Sequence, residues 1–340
     1  MKILITGGLG YIGSGILEFI SSDNKFTEIA SGEIYILDNY SYERSQNSIL
    51  EWAKKYLGLN IHFIPSCITN INKLKTETLN EIADSTYVIH LASLTQSPYS
   101  VLNEKYIGQG TEILLDFISH SGNKLKKLIN MSSTSIYGNV QSGVEPYNEE
   151  IFPDPEHAFH SYSEHKLLSE LTCLKYTKEN GLPITTFRMS TVFGYSFGVR
   201  LNMFINDWVR QIIGGRQIVA PGTPKDWRPF VHVQDASKII LTSLVDSENV
   251  PDTIINVGNK DMNLQQQDII KMVIDIGYSK GIEYNYEVIY RRDQDPTSLV
   301  ENYKVDFFKY NDIYDFATTS MHNFDSGIND LFDKILGNTY

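Results

Sequence analysis

Residues 2–13 read KILITGGLGYIG, an apolar run that passes into a glycine-rich turn and then into a second apolar stretch. Gly8, Gly10 and Gly13 satisfy the pattern G-x-G-x-x-G, and Gly7 can replace Gly8 in the more open T-G-x-x-G-x-x-G. Glycine permits the tight turn, the approach of backbone to a pyrophosphate and the close packing of helix on strand. The N-terminus of the following helix offers free N–H groups and a positive dipole end to phosphates. The stretch therefore predicts a dinucleotide site that includes Gly7, Gly10, Tyr11, Ile12 and Gly13.

A second apolar run, at 34–37, ends at Asp38 and Asn39. A carboxylate at this position accepts hydrogen bonds from an adenosine ribose and repels a 2′-phosphate, which favours NAD over NADP. The interval between Gly13 and Asp38 is a little longer than the ~20 residues expected, so an extended loop is predicted over 24–32. The structural alternative is a turn aspartate that contacts no ligand.

Apolar runs recur along the chain with helical stretches between them, a pattern typical of a parallel α/β sheet. The predicted strands are 2–6, 34–37, 61–64, 87–91, 127–131 and 184–188, and the predicted helices are 11–21, 48–55, 111–119, 162–180, 203–213 and 265–276. The alternation loosens after about Gly194. The fold class predicted is α/β, a Rossmann-type doubly wound parallel sheet with a smaller C-terminal substrate-binding lobe. Residues 1–190 would form the dinucleotide-binding domain, with later strands returning to it around 228–258, and 191–340 mainly the lobe.

Composition excludes several classes of function. The chain has 340 residues, 41% of them hydrophobic, and a net charge of −12, which argues against a nucleic-acid partner because that needs a basic face. The two cysteines, Cys67 and Cys173, lack metal-site spacing, so no metal site or disulfide framework is expected. No run of ~18 apolar residues predicts a membrane span. The expectation is a cytoplasmic protein with no membrane partner.

Tyr162 and Lys166 stand four residues apart, and on a helix such side chains share one face. A free tyrosine has a pKa of ~10, which is poorly matched to proton transfer near neutrality. An adjacent lysine charge favours the phenolate and moves the phenol toward the role of general base. By itself this pair is more often part of a solvated helix face, so its value depends on its context.

That context is the hydroxyl-rich stretch SSTSIYG at 132–138, which follows the fifth predicted strand. It lies at the carboxyl edge of the sheet, where α/β proteins bind ligands. A hydroxyl at Ser133 is suited to hydrogen-bond the reacting oxygen of a substrate and to share its proton with Tyr162. The structural alternative is an ordinary polar exit from a strand into a loop.

These elements, in this order, resemble the extended short-chain dehydrogenase/reductase family, particularly its nucleotide-sugar epimerases and dehydratases. The resemblance covers nearly the whole chain. It extends to VIHLAS at 88–93, which looks like the fourth-strand motif that lines the cofactor, to FR at 187–188 with VFG at 192–194, to WRPFVHV at 227–233 with Asp235, and to RDQD at 292–295.

The resemblance implies an NAD cofactor, a nucleotide-linked sugar as substrate, and a homodimer built through helices that include the one carrying Tyr162. Tyr162 would be the base, and Lys166 would tune it and hold the nicotinamide ribose. The remaining residues that it implies are Ile68, Leu91 and Ala92 for the cofactor, and Ser133, Thr191, Arg228 and Arg292 for the substrate, the two arginines at its diphosphate.

Departures from the family pattern narrow the reaction. The family's 4,6-dehydratases carry an acid pair where this chain has Thr134 and Ser135, and its decarboxylases carry a glutamate that this stretch lacks. With dehydration and decarboxylation disfavoured, the expected reaction is redox chemistry at one sugar carbon. Of its two forms, 4-epimerisation is slightly favoured over net C4 dehydrogenation. The stretch STVFGYS at 190–196 with Arg200 looks more like a branch that includes nucleotide-heptose 4-dehydrogenases.

Two further hypotheses stay open. One is reduction of a carbonyl substrate that carries no nucleotide. The other is a non-catalytic NAD-binding regulator, which would need the cofactor fold but not the set of Tyr162, Lys166 and Ser133.

Overall fold

The computed structural model describes residues 1–39, 46–93, 104–122, 124–138, 146–154, 160–285, 287–291, 301–309 and 322–337. In chain order the strands are β1 (Lys2–Thr6), β2 (Glu33–Asp38), β3 (Ile61–Pro65), β4 (Tyr87–His90), β5 (Lys127–Ser133), β6 (Ile184–Met189), β7 (Thr191–Phe193), β8 (Val219–Ala220), β9 (Trp227–His232), β10 (Ile254–Val257), β11 (Asn263–Gln265) and β12 (Ile289–Tyr290). The helices are α1 (Tyr11–Ser22), α2 (Thr27–Ala30), α3 (Gln46–Tyr56), α4 (Thr76–Ala83), α5 (Glu104–His120), α6 (Ser161–Asn180), α7 (Phe204–Ile213), α8 (Val233–Val245), α9 (Gln266–Ser279) and α10 (Phe324–Gly337).

Seven of the described strands form one parallel sheet in the order β10-β6-β5-β4-β1-β2-β3. The chain builds outward from β1 to β3, crosses back, and continues from β4 on the other side. The order therefore reverses between β1 and β4, the place where doubly wound sheets bind nucleotides. The predicted α/β fold with a Rossmann-type parallel sheet is confirmed.

The strands of this sheet are apolar on both faces because helices cover both. In β1, Ile3 and Ile5 pack into the core on one side and Leu4 into the core on the other, all at 1% exposure or less. Successive side chains of a strand point to opposite faces, so an unbroken apolar run is what a doubly covered strand requires. The six predicted strands all form, with ends within two residues of those predicted.

The loop predicted over 24–32 is wrong in part, because this stretch contains a 3₁₀ turn at Asn24–Phe26 followed by the short helix α2. The Asp23 carboxylate accepts the Lys25 N–H at 2.9 Å and starts the turn. Phe26 and Ile29, each 1% exposed, then anchor the turn in the core. A cap and two buried side chains are enough to order a segment that lacks a long periodic pattern.

A separate hydrophobic core lies in the C-terminal part of the chain. It joins α7, α9 and α10 around Trp208, Ile270 and Leu331. β9 pairs with β7 and β11 in a three-stranded sheet beside it, whereas β10 returns to the central sheet next to β6. The division of domains at residue 190 stays a prediction. Within the described residues no helix has the length and apolar character needed to cross a membrane.

Candidate active site

The glycine turn after β1 is so tight that two of its positions exclude a side chain and a third leaves little room for one. Gly7 has φ +70°, and a Cβ there would lie 2.8 Å from the backbone nitrogen of Ala92. A Cβ on Gly13 would lie 2.3 Å from the carbonyl oxygen of Gly8, and one on Gly10 would lie 3.2 Å from that of Gly7. Gly10 is also the N-cap of α1 and has no side chain to cap the first N–H groups. Backbone donors at the start of α1 are thus available to phosphate oxygens.

The turn sits at the point where the strand order reverses. The Leu91 N–H donates to the Thr6 carbonyl at 3.0 Å, and the Ala92 N–H donates to the Thr6 hydroxyl at 3.3 Å. These bonds hold the predicted cofactor-lining residues Leu91 and Ala92 against Gly7, at the ends of the paired strands β1 and β4. A cradle lined by backbone and closed to any Cβ fits a dinucleotide pyrophosphate.

The predicted ribose partner, Asp38, is the last residue of β2 and is 7% exposed. Its Oδ2 accepts the Leu9 N–H at 3.1 Å, so the carboxylate supports the glycine turn itself. Asn39 follows as an exposed residue. Ile68 opens the 3₁₀ turn Ile68–Lys73 and is half-buried. These residues lie at the carboxyl ends of β2 and β3, on one side of the turn.

Tyr11 and Ile12 begin α1. The Tyr11 hydroxyl donates to the Gly194 carbonyl at 2.5 Å and accepts from the Asn206 side chain at 3.2 Å. Burial raises the pKa of this phenol far above its ordinary value, so it stays neutral. The phenol side chain of Tyr11 thus ties the cofactor turn to the loop after β7, which leaves its backbone N–H as the group able to meet a phosphate. Ile12 is half-buried against the same core.

Tyr162 and Lys166 lie in the first two turns of α6, with the Lys166 ammonium 5.7 Å from the centre of the Tyr162 ring. Lys166 is 6% exposed, and its Nζ donates to the Met131 carbonyl of β5 at 2.6 Å. Burial lowers the pKa of Lys166 to about 8, against the opposing pull of Glu170. Tyr162 itself is only half-buried. The predicted pair is thus a buried cation beside a more accessible phenol.

Ser133 ends β5 and caps the 3₁₀ turn Thr134–Tyr137. Its Oγ accepts from the Ser135 N–H at 3.2 Å and from the Ser135 hydroxyl at 2.9 Å. The next helix is fixed to this turn, because Ser163 donates to the Ser135 carbonyl at 2.9 Å. Since Ser163 adjoins Tyr162, the three predicted catalytic residues share one edge of the sheet.

A buried ion pair that was not predicted from the sequence supports this edge. Glu170 and Arg188, both fully buried, form a forked pair in which Nη2 lies 2.8 Å from Oε2. Glu170 also accepts from Ser132 at 2.5 Å, and Arg188 donates to Tyr137 at 2.9 Å. The sequence signal that could have drawn attention to Glu170 was its i, i+4 spacing from Lys166 on α6. The pair joins α6, β5 and β6 below the candidate catalytic groups.

Arg228, predicted to contact the substrate diphosphate, lies on β9 at 5% exposure and is bonded within the protein. Its Nη1 donates to the Glu301 carboxylate, and its Nη2 donates to the Glu301 carbonyl at 3.3 Å. Its guanidinium carbon stacks 4.3 Å from the Phe204 ring centre and 5.8 Å from that of Tyr303. Tyr303 also pairs with the Thr134 hydroxyl at 3.2 Å, which links Arg228 to the turn after Ser133. No sequence motif marked Glu301 or Tyr303 as part of the site.

The other two predicted substrate residues have different outcomes. Thr191 begins β7 and pairs in register with Phe230 of β9, so it lies one strand away from Arg228. Arg292 lies outside the described residues.

A second polar cluster joins His232, Asp235 and His322, whose ligand atoms lie within 4.8 Å of one another. The Asp235 carboxylate accepts both the backbone N–H of His322 at 3.0 Å and its Nδ1 at 2.9 Å. Gln234 donates its N–H to His232 Nδ1, and a Cβ on Gly194 would lie 2.2 Å from His232 Nε2. Nδ1 of this ring is therefore engaged, whereas Nε2 is buried with no hydrogen-bond partner among the described residues. The cluster fastens the start of α10 to α8 by hydrogen bonds.

A glycine cradle at the reversal of a parallel sheet, with a Tyr/Lys pair beside it, defines a dinucleotide-dependent α/β enzyme. Residues 3–258 match the model of the NAD dependent epimerase/dehydratase family. The chain belongs to this family, whose members are extended short-chain dehydrogenases/reductases, and its cofactor is NAD.

Its relatives act on nucleotide sugars in several ways. UDP-N-acetyl-alpha-D-glucosaminuronate decarboxylase from Bacillus cytotoxicus is 27% identical over 319 residues, which cover 88% of this chain and 91% of that protein. UDP-glucuronic acid decarboxylase 1 from Xenopus tropicalis is 24% identical over 261 residues, 76% of this chain, and the match spans only 56% of that protein. The fold matches UDP-glucuronic acid 4-epimerase from Bacillus cereus, solved with UDP-glucuronic acid and NAD, with a TM-score of 0.79 at 22% identity over 99% of each chain.

These comparisons define an enzyme of the nucleotide-sugar epimerase, dehydratase and decarboxylase type. They do not separate the three reactions, so the choice among them depends on the residues of the site.

Proposed function

We propose that the chain is an NAD-dependent 4-epimerase of a nucleotide-linked sugar. The observation that carries the proposal is the Tyr162–Lys166 pair, a half-buried phenol beside a buried ammonium that the Met131 carbonyl holds at the end of β5. A regulator that only bound NAD would have no need for a buried cation beside a phenol, because burying a charge is costly.

The residues divide the work of proton transfer. Tyr162, as phenolate, accepts the proton of the sugar C4 hydroxyl, and the Lys166 charge stabilises that phenolate. Ser133 orients the C4 oxygen by a hydrogen bond. Bound NAD supplies reversible hydride transfer at the same carbon. After the 4-keto sugar turns its other face to the cofactor, Tyr162 returns its proton to the oxygen and the epimer is released.

Thr134 and Ser135 support epimerisation over elimination of water. Thr134 is 1% exposed and bonded to Tyr303, and Ser135 is 6% exposed and bonded to Ser133. Neither side chain is an acid near neutral pH, so this turn lacks the acid pair of the family's 4,6-dehydratases. The same stretch lacks the glutamate of the family's decarboxylases.

Net C4 dehydrogenation is the second candidate function, and it uses the same residues. It differs in that the hydride is not returned to the sugar, so that the 4-keto sugar and NADH both leave the protein. The resemblance of residues 190–196 to the branch with nucleotide-heptose 4-dehydrogenases is the observation that favours it.

The test is NADH absorbance with NAD-loaded protein and a panel of UDP-, dTDP- and GDP-linked sugars, followed by product analysis. We expect a C4 epimer without net NADH, and at least ~100-fold slower turnover for Tyr162→Phe. Tyr176→Phe, on the same helix but away from the site, is the matched control. NADH in amounts equal to a 4-keto product would select the dehydrogenase instead, and full activity of Tyr162→Phe would refute the assignment of the base.

We also propose that the chain forms a homodimer through α6. Leu168, Leu171 and Leu174 on this helix are 37–42% exposed, although Leu167, Glu170 and Cys173 beside them are buried. An exposed apolar stripe of this kind suits a self-complementary contact. The cytoplasmic location stays a prediction from the sequence.

A further inference from the structure

Glu301 lies between two partners that belong to different parts of the site. Its Oε2 pairs with Arg228 of β9, and its Oε1 accepts from His160 Nε2 at 2.7 Å. The carboxyl side chain is 12% exposed. Burial alone would raise the pKa of Glu301, but Arg228 and His160 outweigh it and hold that pKa below its usual value. Glu301 is thus a carboxylate that is shared between two donors.

His160 is the N-cap of α6, two residues before Tyr162. Its Nδ1 accepts the Ser163 N–H at 3.0 Å, so this nitrogen carries no hydrogen. Nε2 therefore carries the proton and donates it to Glu301. Serine, threonine, asparagine and aspartate are the preferred caps, and none of them offers a second nitrogen on the opposite side. Histidine both caps the helix and reaches the carboxylate.

Arg228 is held in place by stacking as well as by its ion pair, between the rings of Phe204 and Tyr303. A bidentate anion is the natural ligand of a guanidinium. One oxygen of the Glu301 carboxylate and the Glu301 backbone carbonyl already occupy Nη1 and Nη2 of Arg228. The negative charge of Glu301 therefore offsets the positive charge that Arg228 would present to an incoming diphosphate.

We propose that Glu301 competes with the anionic group of the substrate for Arg228. When the substrate binds Arg228, the hydrogen bond between Glu301 and His160 becomes stronger. Glu301 then sets the affinity for a nucleoside diphosphate, and His160 is a positioning residue that links this event to the helix carrying Tyr162. The inference rests on the proposed function, because that assigns the diphosphate to Arg228.

Two substitutions separate the two bonds of Glu301. Glu301→Gln removes the charge that competes for Arg228 but keeps an oxygen to accept from His160. His160→Asn keeps a good cap for the Ser163 N–H but is too short to reach Glu301. Without His160, the whole carboxylate is left to Arg228, so the two changes act on diphosphate affinity in opposite directions.

The experiment is calorimetric binding of UDP and of dTDP to NAD-loaded protein, with unfolding temperatures to show that each variant is folded. We expect Glu301→Gln to bind the better of the two about tenfold more tightly. His160→Asn should bind it about threefold more weakly, and should have no such effect in the Glu301→Gln background. Glu179→Gln, which removes one exposed negative charge at the far end of α6, should leave binding unchanged.

Unchanged or weaker binding by Glu301→Gln would overturn the competition, since Glu301 would then orient Arg228 for the phosphate. Equal effects of His160→Asn in both backgrounds would overturn the link through Glu301. The measurement needs no turnover, so it is separable from the reaction. If the variants show the expected affinities for the nucleotide but no sugar is turned over, the 4-epimerase is rejected and the competition is kept. If a sugar is epimerised but all variants bind the nucleotide equally well, the competition is rejected and the 4-epimerase is kept. Binding of neither nucleotide to any variant would overturn the competition, whereas the 4-epimerase is decided by turnover on the sugar panel.

Discussion

At Lys166, burial and neighbouring charge act in opposite directions on one ammonium group. Burial lowers its pKa to about 8, and Glu170 and Cys173 partly oppose that effect. The group is therefore mostly cationic at pH 7 and loses its charge as the pH rises through about 8. If the cation supports the Tyr162 phenolate, the reaction loses this support over the same interval.

Lys166→Met tests that role. In the wild type, kcat/KM should fall above a midpoint near pH 8, because the charge beside Tyr162 disappears there. In Lys166→Met we expect a loss of about 100-fold or more at pH 7 and no falling limb near pH 8. The check is a pH–rate profile on the sugar that shows turnover, with the exposed Lys175→Met as control. A falling limb that survives in Lys166→Met would assign it to another group.

Some features of single residues could be predicted from the sequence, and others could not. The i, i+4 spacing predicted that Tyr162 and Lys166 share a face of a helix, because helical geometry is local. The partner of Arg228 is Glu301, 73 positions away, and no local pattern connects them. The sequence indicated a substrate arginine, but its pairing depends on how the segment after β12 returns beside β9, which only the packed chain determines.

Among the elements, the turn between β1 and α1 was predictable nearly to the residue. Its strand begins and ends as predicted, and α1 runs one residue longer. Glycine spacing carries this information because a Cβ on Gly7, Gly10 or Gly13 would crowd neighbouring backbone atoms. The short helix α2 was missed, since its order comes from Asp23 capping and from the burial of Phe26 and Ile29.

Gly13→Ala is expected to damage this element directly. A Cβ at this position would lie 2.3 Å from the Gly8 carbonyl oxygen, a backbone atom that cannot move without opening the turn. We expect a loss of about 1–3 kcal/mol in the free energy of unfolding and at least tenfold weaker NAD binding. Denaturant titration and NAD calorimetry measure the two effects.

Gly337→Ala is the matched control for that substitution. Gly337 ends α10, and a Cβ there meets nothing within 4 Å. Its stability and NAD affinity should equal those of the wild type. NAD affinity of Gly13→Ala equal to that of this control would remove the turn from the cofactor site.

At the scale of the whole molecule, the reversal of strand order between β1 and β4 places the cofactor cradle and the Tyr162 edge on the same side of one sheet. The recurrence of apolar runs predicted this sheet, because doubly covered strands are apolar throughout. The only sequence sign of the C-terminal core was that the alternation of strand-like and helix-like segments becomes less regular after about Gly194. Its short strands and its helices α7, α9 and α10 come from distant parts of the sequence, so their packing could not be deduced from periodicity.

The proposed homodimer makes a prediction at this scale. Leu171 is 42% exposed on α6, and a charge there would be buried at the proposed contact between protomers. Leu171→Glu should therefore shift the mass measured by light scattering from dimer to monomer. Val245→Glu, at an equally exposed position at the end of α8, should remain a dimer. A wild-type monomer, or a dimer unaffected by Leu171→Glu, would contradict the assignment.

The most direct test of the central claim is the fate of deuterium placed on C4 of a nucleotide sugar that the NAD-loaded protein converts. Internal oxidation and reduction at C4 returns the same hydrogen to the same carbon. We therefore expect an epimer that keeps its deuterium at C4, with none in the solvent. Deuterium lost to water, or an epimer altered at another carbon while C4 stays untouched, would contradict redox chemistry at C4.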